Sequence, residues 1–316
     1  MGGASMQRRP QRWRHEIGMR ATNGTMRQFS VTLPSGIVLD CRTGTEPAGP
    51  SAPRVLFVHG FPEAAFIWDE VITLLGPQIA CTAPQMRGYA GSSSPQELSA
   101  YRARHLVADL AGLVEHLGAP LDLLVAHDWG GAVAWSLAAQ RPELLRRLLI
   151  INSPHPATFL RELKSNAAQQ KASAYMNFLC RPDAEALLAE DDFRRLWPFF
   201  GDAAWLTPET KERYRATWSA GLTGPLNYYR ASPLRPPLSA DDKLHKLVLD
   251  DAAVTIRVPT HVLWGEQDRA LLPALLEGLE HWVPALTVQR LPDADHWLVH
   301  DQPELVAATI RGLLVP

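Results

Sequence analysis

Short apolar runs recur along this chain, each stopped by a turn-forming segment, with helix-like stretches between them. The runs are Arg54–Val58, Leu121–Val125, Leu148–Ile151, Thr260–Leu263 and Leu286–Leu291. They lack strict polar alternation, the pattern of strands buried on both faces. Ala103–Leu117, Gly131–Gln140, Pro273–His281 and Pro303–Leu314 read as helices. Alternating strands and helices predict crossover units, hence an α/β fold with a mostly parallel central sheet flanked by helices. In such sheets chemistry gathers at the carboxyl ends of the strands.

Residues 156–238 break the alternation and read as helices throughout. Thr207-Pro208-Glu209 is a helix start, a cap residue followed by Pro at the first helical position. Four of the six tyrosines, five of the nine phenylalanines and three of the ten tryptophans fall in this segment. An inserted helical cap that walls a pocket would use them, and so would a cap with a core of its own. Pro233–Pro237 reads as the return linker. The predicted organisation is a disordered tail over 1–24, a core over 25–155, a helical cap over 156–238 and the rest of the core over 239–316.

Composition narrows the class without naming it. A length of 316 residues suits one large α/β domain with an insertion. Apolar residues are 46% and charged residues 20%, ordinary for a globular chain. The net charge of −2 gives no reason to expect nucleic acid or acidic lipid as a partner. Cys41, Cys81 and Cys180 are odd in number and widely spaced, which predicts a reducing, cytoplasmic setting. No uncharged apolar run reaches 18 residues, so no membrane span is expected. Arg8, Arg9, Arg12, Arg14 and Arg20 crowd the start without a secretory apolar stretch. The tail, or a true start at Met19 or Met26, accounts for them. The myristoylation pattern also fails, because Met6 stands where Ser or Thr is wanted.

The chemistry centres on Ala126-His127-Asp128-Trp129-Gly130-Gly131, where a strand runs through a sharp turn into a helix. That is the context of a nucleophile elbow, usually G-x-S-x-G, here with Asp128 at its centre. A serine there would favour acyl transfer. A carboxylate instead displaces at an sp³ carbon and leaves an alkyl ester that water can hydrolyse. Asp128 therefore points to epoxides or alkyl halides. A duty as helix N-cap is the plain alternative.

His59-Gly60-Phe61-Pro62 follows a core strand, so the backbone N–H groups of Phe61 and Trp129 are the candidate oxyanion donors. Removing such a donor costs about 3 kcal/mol in comparable sites. His296, after the last strand, is the candidate base. Asp268, after the preceding strand, is the candidate acid that fixes its tautomer. Asp293 and Asp295 are rival acids, too near His296 in sequence to face its ring easily. The order nucleophile, acid, histidine is the one expected for this fold. His59 and His127 read as supporting or packing residues. Neither H-E-x-x-H nor a paired C-x-x-C occurs, so no cofactor or metal is expected.

Together these segments resemble the epoxide hydrolases of the α/β-hydrolase-fold superfamily, from about Val31 to Leu314. The matching pieces are His59-Gly60-Phe61-Pro62-Glu63, Arg87-Gly88-Tyr89, His127-Asp128-Trp129-Gly130-Gly131, Asn152-Ser153-Pro154-His155-Pro156, Leu226-Asn227-Tyr228-Tyr229-Arg230 and the Asp268 and His296 loops. Ala126 and Ala90 stand where the family commonly has glycine. The resemblance implies two cap tyrosines that hydrogen-bond the epoxide oxygen, carried onto Tyr229 and Tyr175, with Tyr228 as rival for the first. A neutral phenol near a departing alkoxide lowers the barrier on chemical grounds too.

The leading expectation is hydrolysis of a small lipophilic epoxide to a vicinal diol, by a monomer or homodimer. A haloalkane or haloacid dehalogenase shares the same Asp-His-Asp set. It would need side-chain halide donors: Trp129 could supply one, but many haloalkane dehalogenases have Asn where Phe61 stands, and fluoroacetate-type relatives have Arg where Trp129 stands. A binding protein on the same fold is the third reading.

Overall fold

The structure, a computed structural model, describes residues 20–21, 26–44, 49 and 51–315. Arg8, Arg9, Arg12, Arg14 and Met19 lie outside the described residues, as does the expected tail apart from Arg20 and Ala21. The strands are β1 (Arg20–Ala21), β2 (Arg27–Thr32), β3 (Val38–Thr43), β4 (Arg54–Val58), β5 (Ala80–Pro84), β6 (Leu123–His127), β7 (Leu148–Ile151), β8 (Thr260–Gly265) and β9 (Leu286–Leu291). They form one sheet in the order β1-β2-β3-β5-β4-β6-β7-β8-β9. Strands β1, β2, β3 and β5 pair antiparallel, and every pair from β5 through β9 is parallel.

Four of the five apolar runs occupy the inner part of that sheet; the fifth, β9, is its edge strand and is partly exposed rather than buried on both faces. Every residue of β6 and β7 is buried, as is all of β4 after Arg54. Each fully buried aliphatic side chain there contributes roughly 1.5–3 kcal/mol. Strand β6 starts two residues later than its apolar run, because Leu121 makes only an isolated bridge to Leu145. The antiparallel strands β2 and β3 escape an apolar-run search because they are half-exposed and mix charge with apolar residues. The predicted helix Pro273–His281 is two 3-10 turns, Pro273–Leu276 and Leu279–His281. Gly278 between them sits at φ +70° and breaks the helical path.

Register aligns the strand ends. Val58 pairs with Ala126, Ala126 with Ile150 and Ile151 with Leu263. The residues that follow β4, β6, β7 and β8 therefore emerge in one row. That row carries Gly60 and Phe61, Asp128, Asn152 and Asp268.

Between β7 and β8 the described chain holds helices and no strand. They include Pro156–Ser165, Tyr175–Leu179, Pro208–Ser219 and Thr223–Ala231. The segment is not helical throughout. Asp191, Asp192 and Phe193 take positive φ, and the chain from 200 to 207 is irregular. Thr207 does cap the helix after it, accepting from the Thr210 N–H at 3.2 Å. The aromatic residues divide between both expected roles. Tyr214 and Trp218 are buried in packing with Phe200, at centroid distances of 4.7 and 6.1 Å from its ring. Phe159, Tyr175, Tyr228 and Tyr229 line a cavity.

Candidate active site

Asp128 stands between β6 and the helix Trp129–Gln140, with φ +48° and ψ −122°. A non-glycine residue held there costs about 1–3 kcal/mol, so its surroundings must impose the conformation. Ser153 Oγ donates to its carbonyl at 2.6 Å, and the Ala132 N–H donates to the same oxygen at 3.1 Å. The helix packs close because a Cβ at Gly130 would meet the carbonyl of Val58, and one at Gly131 would overlap the Ser153 side chain. Ala126, at the position of the first glycine in the usual elbow pattern, sits fully buried inside β6 without breaking the pairing. The N-cap alternative fails, since the Asp128 side chain makes no cap hydrogen bond. Its Oδ1 instead accepts from the Phe61 N–H at 2.8 Å. Of the two expected oxyanion donors, only the Phe61 amide bonds the carboxylate in this resting arrangement. The Trp129 amide is the first N–H of its helix, a position without an intrahelical partner.

His296 brings Nε2 to 3.7 Å from Asp128 Oδ2, and its Nδ1 donates to Asp268 Oδ2 at 2.6 Å. Burial works against the charged imidazole. The charge and hydrogen bond of Asp268, together with Asp128 and Glu63, outweigh it and raise the group to about 9. Asp268 is fully enclosed. Burial pushes its carboxyl up, but the charge and hydrogen bond of His296 and the amides of Leu271 and Ala270 hold it below the usual carboxylate range. Asn152 Nδ2 donates to Asp268 Oδ2 at 2.8 Å, while its Oδ1 accepts from the Gly265 N–H at 2.9 Å. The rival Asp295 is engaged elsewhere, accepting from the Trp297 N–H at 2.7 Å.

A further ring supports the histidine. His127 lies between Glu63 Oε2 and the His296 carbonyl, each at 2.9 Å from a ring nitrogen. Glu63 also accepts from Tyr214 Oη at 3.2 Å and faces His300 Nε2 at 3.0 Å. Burial alone would raise the Glu63 carboxyl; the hydrogen bonds and charges of His127 and His300 bring it well below its ordinary value.

The two expected tyrosines stand side by side over Asp128, ring centroids 6.2 Å apart. Burial first, then nearby charge, lifts both phenols well above their ordinary value, so each carries its proton. The indole of Trp129 packs edge to face against the Tyr229 ring, centroids 5.0 Å apart at 85°. Tyr228 is committed elsewhere, its hydroxyl donating to the Arg87 carbonyl at 2.8 Å in a buried setting. Asp128, Tyr175 and Tyr229 border two cavities at once. One, about 280 Å³, has apolar walls that include Val133, Phe159, Met176 and Leu271. The other, about 510 Å³, adds Arg195, Gln267, Arg269 and Asp301.

Sequence reasoning quoted Asn152, Ser153 and Glu63 as motif residues and gave them no task. Their partners come from other strand ends, so the linear chain carries no signal for the pairing.

The geometry agrees with comparisons to known proteins. Residues 53–303 match the α/β hydrolase fold family. The chain is 32% identical over 274 residues to Epoxide hydrolase 3 of Xenopus tropicalis, covering 83% of this chain and 71% of that one. It is 31% identical over 276 residues to Epoxide hydrolase 4 of Mus musculus, covering 83% and 73%. An inhibitor-bound epoxide hydrolase of Bacillus megaterium superposes with a TM-score of 0.81 at 30% identity, over 90% of this chain and 99% of that one. A variant of that enzyme is known in complex with its product, a naphthyloxy-propane-1,2-diol. An aspartate at the elbow, a histidine and acid beside it, and relatives at this level of identity lead to one assignment: this chain belongs to the epoxide hydrolases of the α/β-hydrolase-fold family.

Proposed function

We propose that this protein hydrolyses epoxides to vicinal diols through an ester on Asp128. The observation that carries the reading is His296 Nε2 at 3.7 Å from Asp128 Oδ2, with Asp268 bonded to the other ring nitrogen. Oδ2 is the attacking oxygen, because Oδ1 is held by the Phe61 amide. Oδ2 bonds to a ring carbon, the carbon–oxygen bond breaks, and its electron pair goes to the ring oxygen. That oxygen takes a proton from Tyr175 or Tyr229.

Alkylation also prepares the second step. His296 is held charged partly by Asp128. Once Asp128 is a neutral ester, that support is gone and the imidazolium sheds its proton, which restores the tyrosine. Neutral His296 then takes a proton from water as the water oxygen adds to Cγ of Asp128. Charge builds on Oδ1, facing the Phe61 amide, with the Trp129 amide as second donor. Collapse expels the diol oxygen, which regains a proton from His296. The new carboxylic acid ionises and returns its proton to the imidazole.

The apolar cavity suits the lipophilic substituent, and the polar one suits water and the diol. Every proposed group comes from one chain, so monomer and homodimer both accommodate the mechanism. Cys41, Cys81 and Cys180 are free, in keeping with a reducing, cytoplasmic setting. Among the described residues no helix is long and apolar enough to cross a membrane. The dehalogenase reading is not favoured: the relatives are epoxide hydrolases, and the two protonated tyrosines suit a departing alkoxide better than a halide.

The test uses styrene oxide. Asp128→Ala should abolish diol formation, and unchanged turnover overturns the assignment. His296→Gln should form the ester and not break it, so intact-mass spectrometry should register one added substrate mass.

A further inference from the structure

The Phe61 N–H and the Gly60 carbonyl belong to one planar peptide unit and point in opposite directions from it. Whatever grips the carbonyl therefore aims the amide. Gly60 O accepts from Tyr89 Oη at 3.2 Å and from His59 Nδ1 at 3.0 Å. The His59 tautomer is settled by its other nitrogen, which accepts from the Met86 N–H at 3.1 Å, so Nδ1 carries the proton and donates. The two rings meet edge to face, centroids 4.6 Å apart at 88°, and both are buried. On the opposite side of the same peptide, the Phe61 N–H reaches Asp128 Oδ1 at 2.8 Å. Nothing in the proposed chemistry otherwise uses His59 or Tyr89.

We propose that Tyr89 and His59 are positioning residues that lock the Gly60–Phe61 peptide, so that the oxyanion donor stands preformed for the hydrolytic half of the reaction. The inference rests on the ester mechanism above and makes a demand that simple packing would not. During alkylation Asp128 loses charge, so a hydrogen bond to Oδ1 weakens on the way to the transition state. During hydrolysis charge returns to Oδ1 and the same bond strengthens. A loosened peptide must therefore affect the two half-reactions in different directions.

Tyr89→Phe removes the hydroxyl and keeps the buried ring. Rapid-quench single turnovers with styrene oxide, read by intact mass, separate ester formation from ester decay. Decay should slow about tenfold. Formation should hold its rate or rise, so the ester accumulates in the steady state. His59→Gln, which forfeits the Nδ1–H donor, should shift the partition the same way. A second readout uses the ester trapped in His296→Gln. Adding Tyr89→Phe should move its isotope-edited carbonyl stretch to higher wavenumber, as expected when a hydrogen bond to Oδ1 is lost. Equal slowing of both half-reactions, or an unchanged partition and carbonyl stretch, overturns the positioning role while leaving the ester mechanism intact. Failure to see any ester, in wild type or in His296→Gln, overturns the mechanism and this inference with it.

Discussion

At the scale of single residues, environment separates groups that look alike in the sequence. Tyr228 and Tyr229 are neighbours, yet one hydroxyl is spent on the Arg87 carbonyl while the other faces Asp128. Tyr229→Phe should therefore slow ester formation by 10²-fold or more, the usual scale of acid catalysis. Tyr228→Phe should chiefly lower stability, by about 1 kcal/mol for a lost buried hydrogen bond. Stopped-flow kinetics beside thermal melts distinguish them, and the reverse pattern would reassign the role. The histidine carries a pH signature. His296 titrates at about 9 with Asp128 ionised, and lower once Asp128 is esterified. Its base form dominates above its own pKa. Ester decay should rise with pH through a midpoint below 9, measurable by single-turnover decay across the pH range.

At the scale of elements, the site depends on how closely the turns approach one another. Gly60 faces Asp128 so closely that a Cβ would overlap its carboxylate. Gly60→Ala should cost on the order of 10²-fold in kcat, the loss expected from displacing a reacting group by about 1 Å. Circular dichroism should show the fold retained. Much of this level was legible beforehand. The strands β4 and β7 coincide with their apolar runs because burial on both faces leaves an unmistakable pattern, and the helices Ala103–Leu117 and Pro303–Leu314 with the periodic apolar face they bury; β9 also coincides although it is a partly exposed edge strand. Strands β2 and β3 were not legible, since their half-exposed, charge-bearing pattern matches that of a loop. Pro273–His281 was misread as one helix because a single glycine at positive φ outweighed its composition.

At the scale of the whole molecule, buried titratable groups couple folding to pH. Burial lowers His59 and His155 to about 4. Their unfolded counterparts take up protons first as pH falls below 6.5, so stability falls between about 6.5 and 4, by on the order of 3 kcal/mol for each histidine. His296 acts in the opposite sense. Raised to about 9, it favours the fold below 6.5, and that contribution fades as pH rises through 9. Urea unfolding across this range should therefore show the greatest stability near the middle, with losses on both flanks. A stability that still increased as pH fell to about 4.5 would contradict the buried neutral state of the two histidines.

The sequence by itself determined the parallel sheet, the helical excursion after β7, and an aspartate at a strand-to-helix turn with a histidine and an acid following in order. Those are local facts, set by burial pattern, turn chemistry and residue type. Only the tertiary structure decided which tyrosine faces Asp128, that Asn152 holds Asp268, and that Gly60 is gripped from behind by His59 and Tyr89. Those arrangements join residues from separate strand ends and from the helical excursion. Their partners are chosen by sheet register and packing, which no local stretch of chain contains.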